Sequence, residues 1–184
     1  MTKQSLIIFV ILAALFAAVN ISAKNQEKKN APIEQNIETA AVTITAPPLT
    51  RRELTEQNVK EQLKDKIKTI YFYSSIYKKV EYIVHYCEYK NKARLQSGIS
   101  TAVAKFKDNK FNYKTVENKI GMADSILLEG TFEKGGKKFG IKQQFITYKT
   151  HFWQILSIYP YSVKNEKAAE EFIKSISLGS IEKK

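Results

Sequence analysis

Two stretches of this chain carry large apolar side chains on both faces of a strand. Residues 79–89 are KVEYIVHYCEY and residues 151–160 are HFWQILSIYP. Alternate residues of a strand point to opposite faces, so Val84 and Tyr86 share one face while Ile83 and Cys87 share the other. An antiparallel strand with one face in water would alternate between apolar and polar residues. The pattern therefore predicts a sheet that is covered by protein on both sides.

The second stretch is expected to be a central strand followed by a helix. Its apolar residues divide into two sets, Trp153, Ile155 and Tyr159 on one face and Phe152, Leu156 and Ile158 on the other. Pro160 ends the strand, because proline cannot donate to a sheet ladder. After it, apolar residues recur at helical spacing and predict a C-terminal helix that packs back on the sheet: Ala168, Ala169, Phe172, Ile173 and Ile176.

A second amphipathic helix and five further strands are predicted elsewhere. Leu95, Ile99, Ala102, Val103 and Phe106 form the apolar stripe of that helix. The strands cover roughly residues 41–45, 67–75, 113–119, 125–132 and 138–148, with a polar break at 75–78 before the strand at 79–89. Gly135 and Gly136 predict a tight hairpin between the last two. Residues 54–63 fit a helix or a strand equally well, although Thr50 and Glu53 match a capping box.

The N-terminal residues match a secretory signal peptide over residues 1–23. Their apolar run, Leu6–Val19, has 14 residues, fewer than the ~20 that a membrane span needs, and cleavage is expected before Lys24. An uncleaved anchor is the alternative. No cysteine follows the run, so no lipid attachment is expected. Residues 24–40 then form a polar, flexible linker, and residues 41–184 form one domain, exported to the periplasm or the extracellular space.

The chain has a formal net charge of +12, which becomes +11 when Lys3 is removed with the signal peptide. This excess predicts affinity for polyanions, and export argues against nucleic acid. The expected partner is an anionic envelope component, a membrane surface included, or a protein. The candidate anion-contacting residues are Lys105, Lys107, Lys110, Lys114, Lys134, Lys137 and Lys138. The first four alternate with aromatic residues and could form an anion-contacting edge, although a solvated helix-to-strand loop is the preferred interpretation.

Few residues of the sequence indicate catalysis or the binding of a metal or phosphate. His85 and Cys87 share one strand face and could form a nucleophilic pair or two metal ligands, but no acidic residue completes that site and core packing is the preferred interpretation. His151 is interpreted as a solvated turn residue, and the Gly135–Lys138 segment as a hairpin tip rather than a phosphate loop. Cys87 is the single cysteine, so no intramolecular disulfide can form. No catalytic residue, metal or cofactor is predicted.

The order of elements resembles that of PsbP-like domains. The resemblance covers residues 41–178 and rests on the first strand followed by Pro47–Pro48, the aromatic strands, the helix, the meander, and the closing FWQILSIYP and AAEEFIKSISL segments. It implies an α+β fold, a three-layer α/β/α sandwich with a central, mainly antiparallel sheet, and a strand hairpin at residues 54–63. It also implies a non-enzymatic accessory protein. A monomer is expected. A binder of small apolar ligands and a hydrolase are the alternatives.

Overall fold

The computed structural model describes residues 31–37, 42–52, 66–93, 95, 100 and 112–179. Its strands are β1 Ile33–Ile37, β2 Val42–Ala46, β3 Thr50–Arg52, β4 Ile67–Tyr77, β5 Val80–Tyr89, β6 Asn112–Ile120, β7 Ala123–Lys134, β8 Lys137–Tyr148, β9 His151–Pro160 and β10 Ser177–Leu178. A helix, α1, spans Val163–Lys174.

Seven of these strands form one sheet in the order β3-β4-β5-β9-β8-β7-β6. Every neighbouring pair in it is antiparallel. Strand β9 is the middle strand, as its two apolar faces predicted. A smaller sheet contains β1, β2 and β10. The described residues therefore form an α+β fold with a mainly antiparallel sheet, which confirms the predicted fold class at that level.

Both faces of the seven-stranded sheet bury apolar side chains. On one face Val84, Tyr86 and Trp153 pack in a cluster that also contains Ile44 of the small sheet and Phe172 of α1. On the opposite face Ile83, Cys87 and Leu156 pack with Leu95. The division of side chains in β5 and β9 is the predicted one. Burial on both faces explains why these strands lack clean polar alternation.

Helix α1 packs on the sheet as its sequence predicted. The Ser162 side chain accepts a hydrogen bond from the Asn165 backbone N–H, which satisfies one of the free donors at the helix start. Ala169 and Phe172 are buried against the sheet. The Phe172 ring meets the Tyr82 ring edge to face, with 5.0 Å between centroids. The closing strand-turn-helix is therefore a packing unit.

The second helical layer lies mostly outside the described residues. Leu95 and Ser100 are described and helical, and Leu95 belongs to the cluster on the face opposite α1. The three-layer arrangement stays a prediction. Residues 54–63 also lie outside the described ranges, but Thr50 pairs with Ser74 in strand β3 and therefore does not cap a helix.

Two local elements differ from the sequence prediction. Strand β1 lies inside the expected linker, because Ile37 is buried and Gln35 bonds to the carbonyl oxygen of Ala46 and the N–H of Leu49. The expected break at 75–78 is mostly strand. The turn between β4 and β5 consists of Lys78 and Lys79, with φ of 49° and 69°. The Gly135–Gly136 turn, with φ of 57° and 69°, matches the prediction.

Candidate functional site

The structure describes four of the seven candidate lysines. Lys114 lies in β6, and Lys134, Lys137 and Lys138 lie at the tip of the β7–β8 hairpin; all four are exposed. Lys105, Lys107 and Lys110 lie outside the described residues, as do Phe106 and Phe111. The basic and aromatic edge proposed for that segment therefore stays a prediction.

The antiparallel register gathers lysines from three separate segments at one end of the sheet. Glu81 of β5 pairs with Ile158 of β9, and Pro160 pairs with Phe139 of β8. The β4–β5 turn, the end of β9 and the β7–β8 hairpin consequently share this end, where α1 also begins. We call the following exposed residues the lysine end: Lys78, Lys79, Lys134, Lys137, Lys138, Lys164 and Lys167. Glu133 and Glu166 are acidic residues of the same segments.

A row of charged residues crosses the sheet near this end. Glu129 of β7 stands opposite Lys114 of β6 and opposite Lys142 of β8. The Lys142 Nζ donates to Glu129 Oε1 at 2.6 Å, and the Lys114 Nζ lies 2.7 Å from Glu129 Oε2. The Lys142 side chain is 8% exposed and that of Glu129 17%, whereas that of Lys114 is 72% exposed. One carboxylate thus joins a buried and a solvated ammonium group.

The electrostatics of this row keep the carboxylate ionised. Burial alone would raise the pKa of Glu129, but the hydrogen bonds from Lys114 and Lys142 outweigh it and hold the pKa below its ordinary value. The hydrogen bond that Lys114 donates to Glu129 also raises the pKa of Lys114. Because two ammonium groups share one carboxylate, the row presents an excess of positive charge.

The charged row borders a polar cleft of about 390 Å³ between β6–β8 and the start of α1. Tyr159 and Tyr161 line it, and the Lys138 Nζ lies 4.3 Å from the centroid of the Tyr161 ring. Burial, with a contribution from Glu166, raises the pKa of Tyr159, so its hydroxyl remains protonated. The cleft therefore offers ammonium and hydroxyl donors to a polar or anionic group.

A second groove, of about 400 Å³, lies between α1, the β4–β5 turn and the small sheet. Val80, Tyr82 and Phe172 are among its apolar lining residues. Lys78, Lys164 and Lys167 of the lysine end also line it. The two sites differ in character, since charged and hydroxyl groups line the first, whereas the second combines apolar side chains with lysines.

Sequence reasoning missed Glu129, Lys142 and the lysines of the β4–β5 turn and α1. A usable indication was present, because Lys142, Gln143 and Gln144 interrupt an otherwise apolar strand. A charged residue in a buried strand requires a partner. Glu129 is that partner because the register of β7 with β8 places it opposite Lys142.

His85 and Cys87 lie where the sequence placed them, on one buried face. The Cys87 Sγ is 3.4 Å from His85 Nε2. Burial lowers the pKa of His85 to about 4 and raises the pKa of the Cys87 thiol. A nucleophilic pair requires the opposite shifts, a thiolate beside a protonated imidazole. The geometry therefore favours the core interpretation of these two residues.

His151 is not the solvated turn residue that the sequence suggested. It is the first residue of β9 and half-buried, with its ring stacked on Tyr86 and Trp153. The His151 Nδ1 lies 2.8 Å from the Tyr86 hydroxyl. Burial lowers the pKa of His151. The residue belongs to an aromatic cluster at the end of the sheet opposite the lysine end.

Among the described residues, no three His, Cys, Asp or Glu side chains form a group that could hold a metal ion. No helix in the described part of the chain is long and apolar enough to cross a membrane.

Comparison with known proteins gives distant structural similarities alone. No family profile matches the chain, and no curated protein matches its sequence. Among solved structures, LpqN of Mycobacterium tuberculosis, described as involved in cell envelope biogenesis, has a TM-score of 0.45 and 11% identity. The match covers 82% of this chain and 91% of LpqN. The Ran-binding protein Mog1p of Saccharomyces cerevisiae has a TM-score of 0.42 and 13% identity, covering 80% and 95%.

A third similar structure is PA94 of Pseudomonas aeruginosa, a protein of unknown function. Its TM-score is 0.43 at 10% identity, and the match covers 78% of this chain and 91% of PA94. The similarities to LpqN, Mog1p and PA94 are all distant. Membership of the PsbP-like family stays a prediction.

Proposed function

We propose that this protein is an exported, non-catalytic binding module whose lysine end contacts an anionic surface of the cell envelope. The observation that carries the proposal is the convergence of exposed lysines from the β4–β5 turn, the β7–β8 hairpin and the start of α1 at one end of the sheet. Separate segments bring their charges together only through the fold. Clustered lysines on one surface attract anionic lipid within a Debye length of ~8 Å at physiological salt.

The backbone of the β4–β5 turn supports this proposal. Both central residues of this two-residue turn have positive φ, a conformation that favours Asn-Gly or Gly-Gly. Here Lys78 and Lys79 adopt it, with φ of 49° and 69°. The left-handed conformation costs a non-glycine residue roughly 1–2 kcal/mol. Two lysines at such positions are consistent with selection for their charge at the tip of the turn.

The module is proposed to act as a three-layer sandwich in which the predicted helix at residues 95–106 covers the second face. Leu95, buried in the cluster on that face, supports this arrangement. The module is further proposed to act without chemistry of its own. The pKa shifts of His85 and Cys87 support that part of the proposal.

The export part of the proposal makes a prediction about processing. We expect N-terminal sequencing of the mature protein to begin at or near Lys24, because the apolar run Leu6–Val19 is too short for a stable membrane span. Recovery of the full-length chain from the membrane fraction would contradict cleavage and favour the anchored alternative.

The proposed contact of the lysine end with an anionic surface predicts salt-dependent binding to anionic vesicles. We expect the protein to co-sediment at low salt with vesicles containing phosphatidylglycerol and not with vesicles of phosphatidylcholine alone. Changing Lys134, Lys137 and Lys138 to Gln should weaken binding by up to roughly 100-fold, since each lysine near an anionic surface contributes ~1 kcal/mol. Physiological salt should weaken binding by the wild type as well.

A matched control carries the same charge change at the opposite end of the sheet. Lys90, Lys92 and Lys149 are exposed there, as the hydrogen bond from the Tyr89 N–H to the Thr150 carbonyl indicates. Their replacement by Gln should leave most of the binding intact. Equal losses from the two triple variants would show that net charge alone drives binding. Absence of binding at low salt would reject the lipid surface and favour an acidic protein partner.

A further inference from the structure

The second groove has a floor built from residues of the folded core. Val80 is 1% exposed, Phe172 2% and Tyr82 4%. The edge-to-face contact of Tyr82 with Phe172 joins strand β5 to helix α1. Because these side chains pack in the main apolar cluster, the floor is already formed without a ligand. Its volume of about 400 Å³ is within the range of small-molecule sites.

The chemistry of the groove changes from apolar to cationic towards solvent. Burial raises the pKa of Tyr82 to about 12, so its hydroxyl is neutral. Three exposed lysines, Lys78, Lys164 and Lys167, line the groove together with the exposed carboxylate of Glu171. The excess of cationic groups complements a single negative charge, and the floor complements a hydrocarbon chain.

We propose that this groove holds the alkyl chain of a single-chain anionic amphiphile, with Lys78, Lys164 and Lys167 contacting its head group. The inference deepens the proposed function, since the same lysines belong to the lysine end, and it names a lipid-like ligand at that surface. The polar cleft beside Glu129 is less suited to such a ligand, because Lys114 and Lys142 already bind an internal carboxylate.

The test uses linear carboxylates, octanoate, decanoate and dodecanoate, below their critical micelle concentrations, measured by calorimetry on the full purified protein. A buried methylene contributes ~0.8 kcal/mol, so affinity should rise roughly fourfold per methylene until the groove is filled. Dodecanol, which lacks the charge, should bind more weakly than dodecanoate. Affinity that ignores chain length, or an alcohol that binds as tightly as the acid, would overturn the proposal.

Two variants locate the site. Ala168 lines the groove on α1, and Ala168→Leu should weaken dodecanoate binding by roughly tenfold or more by filling the groove. Lys164→Gln with Lys167→Gln should weaken binding of dodecanoate about three- to tenfold and leave dodecanol unchanged. Thermal unfolding followed by circular dichroism checks that the variants fold. If Ala168→Leu unfolds, the lysine variant and the chain-length series still decide the question.

The hairpin variant with Lys134, Lys137 and Lys138 changed to Gln separates this inference from the proposed function. It should lose vesicle binding and keep dodecanoate binding, because these three lysines do not line the groove. Vesicle binding without amphiphile binding would overturn the groove proposal alone. Amphiphile binding in a protein that ignores anionic vesicles would support the groove and reject the surface proposal.

Discussion

Replacing Trp153 by alanine is expected to destabilise the protein by ~3 to 5 kcal/mol, the range for removing a large aromatic side chain from a core. Trp153 is 0% exposed and lies on the middle strand of the seven-stranded sheet. Its ring centroid lies 5.6 Å from that of Tyr86 and 5.8 Å from that of His151. Neighbours on a rigid sheet cannot collapse into the space that the indole leaves, so the cavity adds to the lost burial.

The measurement is urea unfolding followed by far-ultraviolet circular dichroism. Trp153 is the single tryptophan, so its fluorescence is lost with it. Trp153→Phe should cost less, because the indole Nε1 has no hydrogen-bond partner among the described residues and a ring remains. Tyr161→Ala is the control, because it removes an aromatic ring from a side chain that is 47% exposed. It should lower the free energy of unfolding by about 1 kcal/mol or less. Wild-type stability in Trp153→Ala would contradict the core assignment.

Replacing Glu129 by alanine is expected to destabilise the fold by roughly 3 kcal/mol, because it leaves Lys142 charged, buried and unpaired. The Lys142 side chain is 8% exposed, and its hydrogen bond to Glu129 measures 2.6 Å. Lys114→Met removes the other ammonium group from the same carboxylate. It should cost much less than Glu129→Ala, since the Lys114 side chain is 72% exposed and solvent screens the pair.

A double variant distinguishes the unpaired charge from lost packing. Glu129→Leu combined with Lys142→Met replaces the pair by apolar side chains, so most of the stability should return. If the double variant is as unstable as Glu129→Ala, packing of the Glu129 side chain explains the loss instead of the charge. Chemical unfolding of all four proteins at neutral pH provides the comparison.

The same pair predicts a pH dependence. The folded-state pKa of Glu129 is lowered, so its ionised form contributes stability above the unfolded-state pKa of about 4.3, and this contribution is lost as pH falls through the folded pKa. The stability difference between wild type and Glu129→Gln should be largest near pH 7. It should shrink below about pH 4. A difference that is constant down to acid pH would contradict ionisation of this carboxylate.

Rules that use only neighbouring residues predicted an element correctly where the residues that cause it lie within one segment. Gly135 and Gly136 predicted their hairpin because few other residues accept two positive φ values. Ala169 and Phe172 predicted the buried face of α1. Local rules failed at Ile33–Ile37, where a polar composition conceals an edge strand, and at Lys78 and Lys79, which adopt a turn that lysine does not favour. Pairing with β2 and with β4–β5 decided those two cases.

The sequence by itself determined that a sheet buried on both faces forms the core, since strands such as β5 and β9 have no polar face to expose. It also determined the excess of positive charge. Only the tertiary structure decided which lysines meet at one end of the sheet and which carboxylate pairs with Lys142. The pairing of Lys114, Glu129 and Lys142 requires the register of three strands. The lysine end forms only when three distant segments meet at one end of the sheet. The β4–β5 turn and the β7–β8 hairpin are about 60 residues apart in the chain, and the start of α1 follows that hairpin by about 30 residues. Such distant pairings are set by the packing of the whole sheet, which no local pattern of residues encodes.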